Sequence, residues 1–213
     1  MVLFISGCAT GAKIENMTTT EASLTMARNF DQTIKNQISV ELVTGGKKTN
    51  PLWKSSISSE AFREAVVKSL EQNGLYGDKG VYQLGIELQK VKQPAFGFDM
   101  TVTTTVRYVL KNGTTNTIVM DEAIVATHTA PMSDAFVGVT RLRLASEGSA
   151  KKNIEELVVQ LSKLNLGGRV VEAASVDQPE NKYIRLEKFA KLKKDGIITE
   201  EEFNVEKEKI LSK

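Results

Sequence analysis

The stretch Phe98–Lys111, "FDMTVTTTVRYVLK", decides the architecture. Phe98, Met100, Val102, Thr104, Val106, Tyr108 and Leu110 occupy the even positions. Asp99, Thr101, Thr103, Thr105, Arg107 and Lys111 occupy most of the odd ones. A period of two over that length predicts a strand with one face on a core and one face in water, the pattern of an antiparallel sheet. Asn112-Gly113 supplies a tight turn. A return strand, "NTIVMDEAIVATHT", follows and ends at Pro131.

Reading outward from this hairpin, "VYQLGIELQKV" (81–91) alternates Tyr82, Leu84, Ile86 and Leu88 with polar or small residues, a second half-buried strand. "ISVELV" (38–43) does the same, with Ile38, Val40 and Leu42 expected on one face. Between these two lies a helix expected from a Ser58 or Ser59 cap to about residue 72. Its inward stripe is Phe62, Ala65, Val66, Ser69 and Leu70, and Asn73-Gly74 stops it. A long helical pattern begins at Ser133 or Asp134. Its clearest face is Ala150, Ile154, Leu157, Val158 and Leu161, and Gly148 is expected to bend or divide it. The order β-α-β-β-β-α predicts an α+β fold: an antiparallel sheet of about four strands with two helices packed on one face, followed by a C-terminal two-helix hairpin.

The hairpin is read from "YIRLEKFAKLKKDGIITEEEFNVEKEKILSK" (183–213). Leu186, Phe189 and Leu192 mark a first helix that stops at Asp195-Gly196. Thr199 and Glu202 form a capping box, and Ile198 with Phe203 a hydrophobic staple. The run Leu186–Leu211 resembles the short C-terminal SHOCT domain. That resemblance implies oligomerisation or docking through a face of Leu186, Phe189, Leu192, Ile197 and Phe203. A hairpin of this size buries too little to stand alone, so the face needs a surface to pack on, in its own body or in a partner.

Composition narrows the function classes. The 213 residues carry 41% hydrophobic and 25% charged residues, a globular balance. A net charge of +2 gives no footprint for nucleic acid as a partner. The single cysteine, Cys8, follows "MVLFISG". An apolar run ending in small residues is the end of a secretory signal. The run is short and has no basic residue before Lys13, so the chain is read as beginning inside its own signal peptide. Ile5-Ser6-Gly7-Cys8 resembles a bacterial lipobox. By that resemblance Cys8 is the lipidated mature N-terminus. Ala9 at the next position then implies the outer membrane, facing the periplasm, with the N-terminal lipid as the membrane contact. The expected organisation is a signal remnant over 1–7, a lipidated tether over 8–28, an α+β body over 29–166, a linker over 167–180 and the hairpin over 181–213.

Residues 26–164 are similar to Gram-negative envelope lipoproteins through "LEQNGLY", "FGFDMTVTTTVRYVL" and "SDAFVGVTRLRLASEGS". Such chains sometimes carry the name UDP-N-acetylglucosamine acyltransferase. That enzyme would have a left-handed β-helix of hexapeptide repeats, and this sequence has no such repeat. His128, the single histidine, has no nucleophile or orienting partner apparent in sequence. One His and one Cys do not make a structural zinc site, and no cofactor or metal is expected. "TGGKKT" (44–49) lacks the first glycine of a phosphate loop, since Glu41 stands there. Asp121 and Glu122 are adjacent on a strand and point to opposite faces. The row Thr101, Thr103, Thr105 reads as a wet sheet face. The expected function is therefore a non-catalytic binding, assembly or scaffolding role in the envelope. The alternative is an envelope glycolipid or acyl-transfer enzyme, and no catalytic residue can be assigned for it.

Overall fold

The computed structural model describes residues 10–19, 29–47 and 56–166, together with Lys193, Glu200, Phe203 and Lys207. Four strands form one sheet in the order β1-β2-β3-β4: β1 is Ile38–Thr44, β2 Tyr82–Lys92, β3 Met100–Asn112 and β4 Ile118–Ala130. Helix α1 is Ile14–Met17, α2 is Ser59–Gln72 and α3 is Gly138–Ser162. The pairs β2–β3 and β3–β4 are antiparallel, as the turn-linked strand patterns predict. The pair β1–β2 is parallel, with Ile38 opposite Tyr82 and Val40 opposite Leu84. The sheet is thus mixed, which corrects the antiparallel expectation. The reason is α2: a helical crossover returns the chain to the end of the sheet where it started, whereas a hairpin reverses it.

Strand β1 differs from its simple alternation in one more way. A bulge between Val40 and Val43 puts an extra residue opposite Leu84–Ile86. Val43 is consequently buried and Leu42, expected inside, is 81% exposed. The other core faces follow the sequence pattern. Leu84, Ile86, Leu88, Val102, Val106, Tyr108 and Leu110 are buried, as are Phe62, Ala65, Val66, Ser69 and Leu70 of α2. Ser58 caps α2 by accepting the Ala61 N–H at 3.1 Å, and Gly74 ends the turn beyond it at φ 64°.

Helix α3 lies across β3 and β4 on small residues. Ala145, Ser146, Ser149, Ala150 and Asn153 are all fully buried beneath it. The Ser149 hydroxyl accepts the Thr104 N–H at 3.0 Å and donates to the Ala126 carbonyl at 2.9 Å. Asn153 donates to the Ile124 carbonyl at 3.0 Å and accepts the Tyr108 hydroxyl at 2.8 Å. Gly148 does not divide the helix, which runs unbroken from Gly138 to Ser162. A Cβ there would sit 2.1 Å from the His128 ring, so its place is set by close contact with β4.

Residues 10–19, expected as tether, belong to the body. Met17, Thr18 and Thr19 are buried. The Glu147 carboxylate, on α3 and almost fully buried, accepts the Lys13 N–H and the Asn16 side-chain amide, each at 2.8 Å. The Thr19 N–H donates to the Ser69 hydroxyl at 3.1 Å. The threonine-rich composition that reads as a linker supplies short hydroxyl side chains that fit between α2 and α3. Their packing against other elements is invisible to local periodicity.

A second compact unit covers Val170–Lys213. In it Lys193 Nζ lies 2.7 Å from the Glu200 carboxylate and 5.4 Å from the centre of the Phe203 ring. Leu186, Phe189, Leu192 and Ile197 lie outside the described residues, as does the 167–180 segment read as linker. The four-strand sheet is not the β-helix that an acyltransferase of the hexapeptide-repeat type would have.

Gly148→Ala is expected to destabilise the body despite gaining about 1 kcal/mol of helix propensity, because overpacking costs about 1–3 kcal/mol. Adding His128→Ala should relieve the clash. A double-mutant cycle by chemical denaturation checks this, with a coupling of about 1 kcal/mol or more expected.

Candidate functional site: an aromatic tip pinned by a buried arginine

One end of the sheet carries two loops, 93–99 between β2 and β3 and 131–137 between β4 and α3. Their side chains run against the usual burial rule. Phe96 is 88% exposed, Phe98 79% and Phe136 87%. Met132 and Val137 beside them are also exposed. Isolated exposed apolar residues are ordinary, but several on adjoining loops mark an interaction surface.

The loops are held by α3. Arg141 is buried, and its Nη1 donates to the carbonyls of Ala135 at 2.7 Å and Phe136 at 2.8 Å. Its Nη2 reaches the Gly97 carbonyl at 3.4 Å. Asp99 Oδ1 accepts the Met132 N–H at 3.1 Å and so ties one loop to the other. A guanidinium offers several donors in a fixed fork, which suits it to collecting carbonyls from two loops. The cost of burying it is offset by hydrogen bonds to carbonyl dipoles, and the rings are left facing outward on a fixed base.

This site was not read from the sequence. Phe98, expected on the core face of β3, lies beyond the last strand pair on this side, Met100–Ala130. Asp99, bonded to Met132, lies between that pair and Phe98, which points into solvent. The long helix was expected from Ser133 or Asp134; it starts at Gly138, because 131–137 form the Arg141-bound loop. The available signal was three phenylalanines close to Pro94, Gly97 and Pro131, residues that interrupt regular structure.

The other singled-out residues fall elsewhere. His128 is half-buried on the inner side of β4 with its ring against Gly148. Burial, and secondarily Lys152, push its pKa down, with Asp134 opposing. Asp121 forms a two-pronged pair with Arg107 at 2.8 and 2.7 Å on the open face of the sheet, a surface ion pair of modest energy. The threonine row continues across strands: Thr101 meets Thr129 at 2.8 Å and Thr103 meets Thr127 at 2.9 Å, hydroxyl to hydroxyl. A shallow groove between β4 and α3 is lined by residues including Glu122, Lys152, Glu156 and Gln160. Among the described residues no group of three His, Cys, Asp or Glu gathers as a metal site. No helix among them is long and apolar enough to cross a membrane. Cys8 and the preceding Ile5, Ser6 and Gly7 lie outside the described residues.

No protein-family model matches the chain, so neither the SHOCT resemblance nor the acyltransferase name is carried by a family match. No curated protein matches it either. Solved structures do. A Xanthomonas campestris protein of the DUF330 family superposes with a TM-score of 0.52 at 13% identity, over 68% of this chain and 90% of its own. A candidate lipoprotein from Caulobacter crescentus gives 0.46 at 12%, over 63% and 93%. The PelC dodecamer from Paraburkholderia phytofirmans gives 0.42 at 14%, over 64% and 90%. The fold of the body is thus shared with the DUF330 protein.

Replacing Arg141 by Gln should remove two of the loop contacts and leave the carbonyls of Ala135 and Phe136 short of donors. Hydrogen bonds to a charged group contribute about 1.5–3 kcal/mol each. The expected result is a body less stable by about 2 kcal/mol, with faster amide exchange confined to the two loops and the first turn of α3. Hydrogen exchange read by mass spectrometry checks it.

Proposed function

We propose that the protein is a lipid-anchored envelope protein facing the periplasm, retained at the outer membrane, whose body binds or assembles rather than catalyses. The observation that carries this reading is the lone Cys8 directly behind Ile5-Ser6-Gly7, only two residues ahead of Thr10, where the chain is already bonded to the body. A lipobox needs its cysteine at the start of the mature chain, and a body that begins two residues later would sit against the membrane that holds the lipid. Several acyl chains on one cysteine give stable anchoring where one chain is marginal.

The surfaces support binding. The open face of the sheet displays paired threonines and the Arg107–Asp121 ion pair, and the tip displays three phenylalanines. The one histidine is packed on Gly148, and burial pushes its pKa down. The C-terminal hairpin is assigned an association role through Leu186, Phe189, Leu192, Ile197 and Phe203, with a second copy or another envelope protein as partner.

Two measurements test the reading. Expressed with a complete signal in a Gram-negative host, the protein should take up a fatty-acid probe and fractionate with outer membranes. Cys8→Ala should lose the label and move to the soluble fraction; equal labelling of the two would remove the anchor. Deleting 181–213 should lower the mass seen by light scattering while leaving the thermal midpoint of the body nearly unchanged. A large fall in midpoint at constant mass would assign the hairpin to its own body.

A further inference from the structure

We infer that the outer edge of β4 is a self-association surface. On it β4 of a second copy adds antiparallel, about a two-fold axis through Val125, to make one continuous sheet across both copies. The inference goes beyond the anchoring and hairpin readings and depends on neither.

The edge is long and unguarded. Strand β4 ends the sheet order, so no strand among the described residues lies on its outer side. Regular edges invite pairing with another chain, and proteins ordinarily blunt them with lysine, proline, a bulge or shortness. Strand β1, at the other edge, is seven residues long and bulged between Val40 and Val43. Strand β4 is 13 residues long, contains no Pro, Lys or Arg, and pairs with β3 without irregularity from Met120 to Ala130. Its outward backbone groups are identified by their neighbours. Ser149 and Asn153 donate to the Ala126 and Ile124 carbonyls while also bonding Thr104 of β3, so these two carbonyls turn toward β3. The next carbonyl, Thr127, meets the exposed Lys152 instead, at 3.2 Å. Backbone groups alternate along a strand, so the N–H and C=O of Ala123, Val125 and Thr127 face away from β3. Val125 is the middle one of the three, and it is 64% exposed.

Charge selects a second copy as the occupant. The groove beside this edge is lined by residues 122–127 of β4 and by Lys152, Glu156 and Gln160, an i, i+4, i+8 row on α3. Helix and strand run in opposite directions, since Gly148 meets His128, Lys152 meets Thr127 and Asn153 meets Ile124. Glu156, nearly a turn beyond Asn153, therefore stands beside Glu122 and Ala123. One end of the groove is positive and the other negative, with Val125 midway between Thr127 and Ala123. An antiparallel copy brings its own α3 in reversed order. A two-fold through Val125 sets Ala123 against Thr127 of the other copy and turns each Lys152 toward the other copy's Glu156 and Glu122. Moving the axis to Ala123 would bring the two Glu156 together, and moving it to Thr127 the two Lys152, like charges that repel. The same register pairs Val125 with itself, where both backbone groups face outward, so two N–H···O bonds close on the axis.

The test uses the full chain with Cys8→Ala, so that any disulfide comes from an introduced cysteine. Val125→Cys, oxidised with copper phenanthroline at micromolar concentration, should convert most of the chain to a covalent dimer. Leu42→Cys on the other edge, 81% exposed, should not. Lys152→Glu and Glu156→Lys should each raise the dimer dissociation constant in sedimentation roughly tenfold or more, and the two together should restore it. Val125→Pro, whose missing N–H faces away from β3, should lower the mass about twofold, and Val125→Lys, an edge guard, is the second variant and should do the same. An uncross-linked Val125→Cys, equal cross-linking at Leu42→Cys, or charge reversals that leave the dissociation constant unmoved would each overturn the inference. Association that survives Val125→Pro and Val125→Lys but disappears on deleting 181–213 would overturn it too, by giving the contact to the C-terminal hairpin. No step uses the lipid, so failure here leaves the labelling of Cys8 standing, and failure of the labelling leaves the cross-link readable.

Discussion

The close approach of α3 to β3 and β4 is the constraint on which the rest of the body depends. A 25-residue helix lies along two long strands with small residues at the contact, and its polar groups bond to the strands themselves. Ser149 and Asn153 reach backbone atoms of both strands, and Tyr108 and Thr104 complete the set. Such a seam specifies position. A slide of one turn along the sheet would leave buried donors and acceptors unpaired, each a desolvation penalty of about 1–3 kcal/mol. An apolar face alone would tolerate such a slide more readily. The His128 ring against Gly148 fixes the same register sterically.

With α3 fixed, its N-terminal half organises two further parts. Glu147 and Arg143 receive the segment 10–19, which contains α1 and is bonded to α2 as well as to α3. Arg141, two residues before Arg143, faces the other way and gathers the loops. One helix end thus receives the incoming chain and shapes the most apolar exposed surface described. A buried carboxylate and a buried guanidinium six residues apart do this without bonding to each other: Glu147 accepts from Lys13 and Asn16, and Arg141 donates to the carbonyls of Ala135, Phe136 and Gly97. Removing either would strand its partners, which is why these two charges tie local packing to the surface geometry.

The uncovered face of the sheet is a different kind of surface. Threonine pairs and a two-pronged ion pair stabilise cross-strand register in contact with water. It carries scattered apolar residues, Val125 among them, but no gathered patch of aromatic rings. The body therefore separates a hydrated sheet face from an apolar tip, and the fold it shares with the DUF330 protein provides the frame for both.

The sequence by itself determined the elements whose burial follows a single local period. Phe62 to Leu70 of α2, the even positions of β3 from Met100 to Leu110, and the face from Ala150 to Leu161 of α3 are buried as their spacing requires. Cys8 behind Ile5-Ser6-Gly7 also stands out in sequence, because a resemblance to a lipobox is read linearly. Tertiary structure alone decided the rest. The parallel pairing of β1 depends on where α2 deposits the chain, and the inversion of Leu42 and Val43 on a bulge set by β2. The threonine-rich segment 10–19 looks like tether because its bonds go to Ser56, Ser69 and Glu147, far along the chain. The aromatic tip was illegible for the same reason. Phe98 reads as the first core position of β3, but its loop is bonded to Arg141 through Gly97 and to Met132 through Asp99, and hydrogen bonds between distant segments leave no period in the sequence.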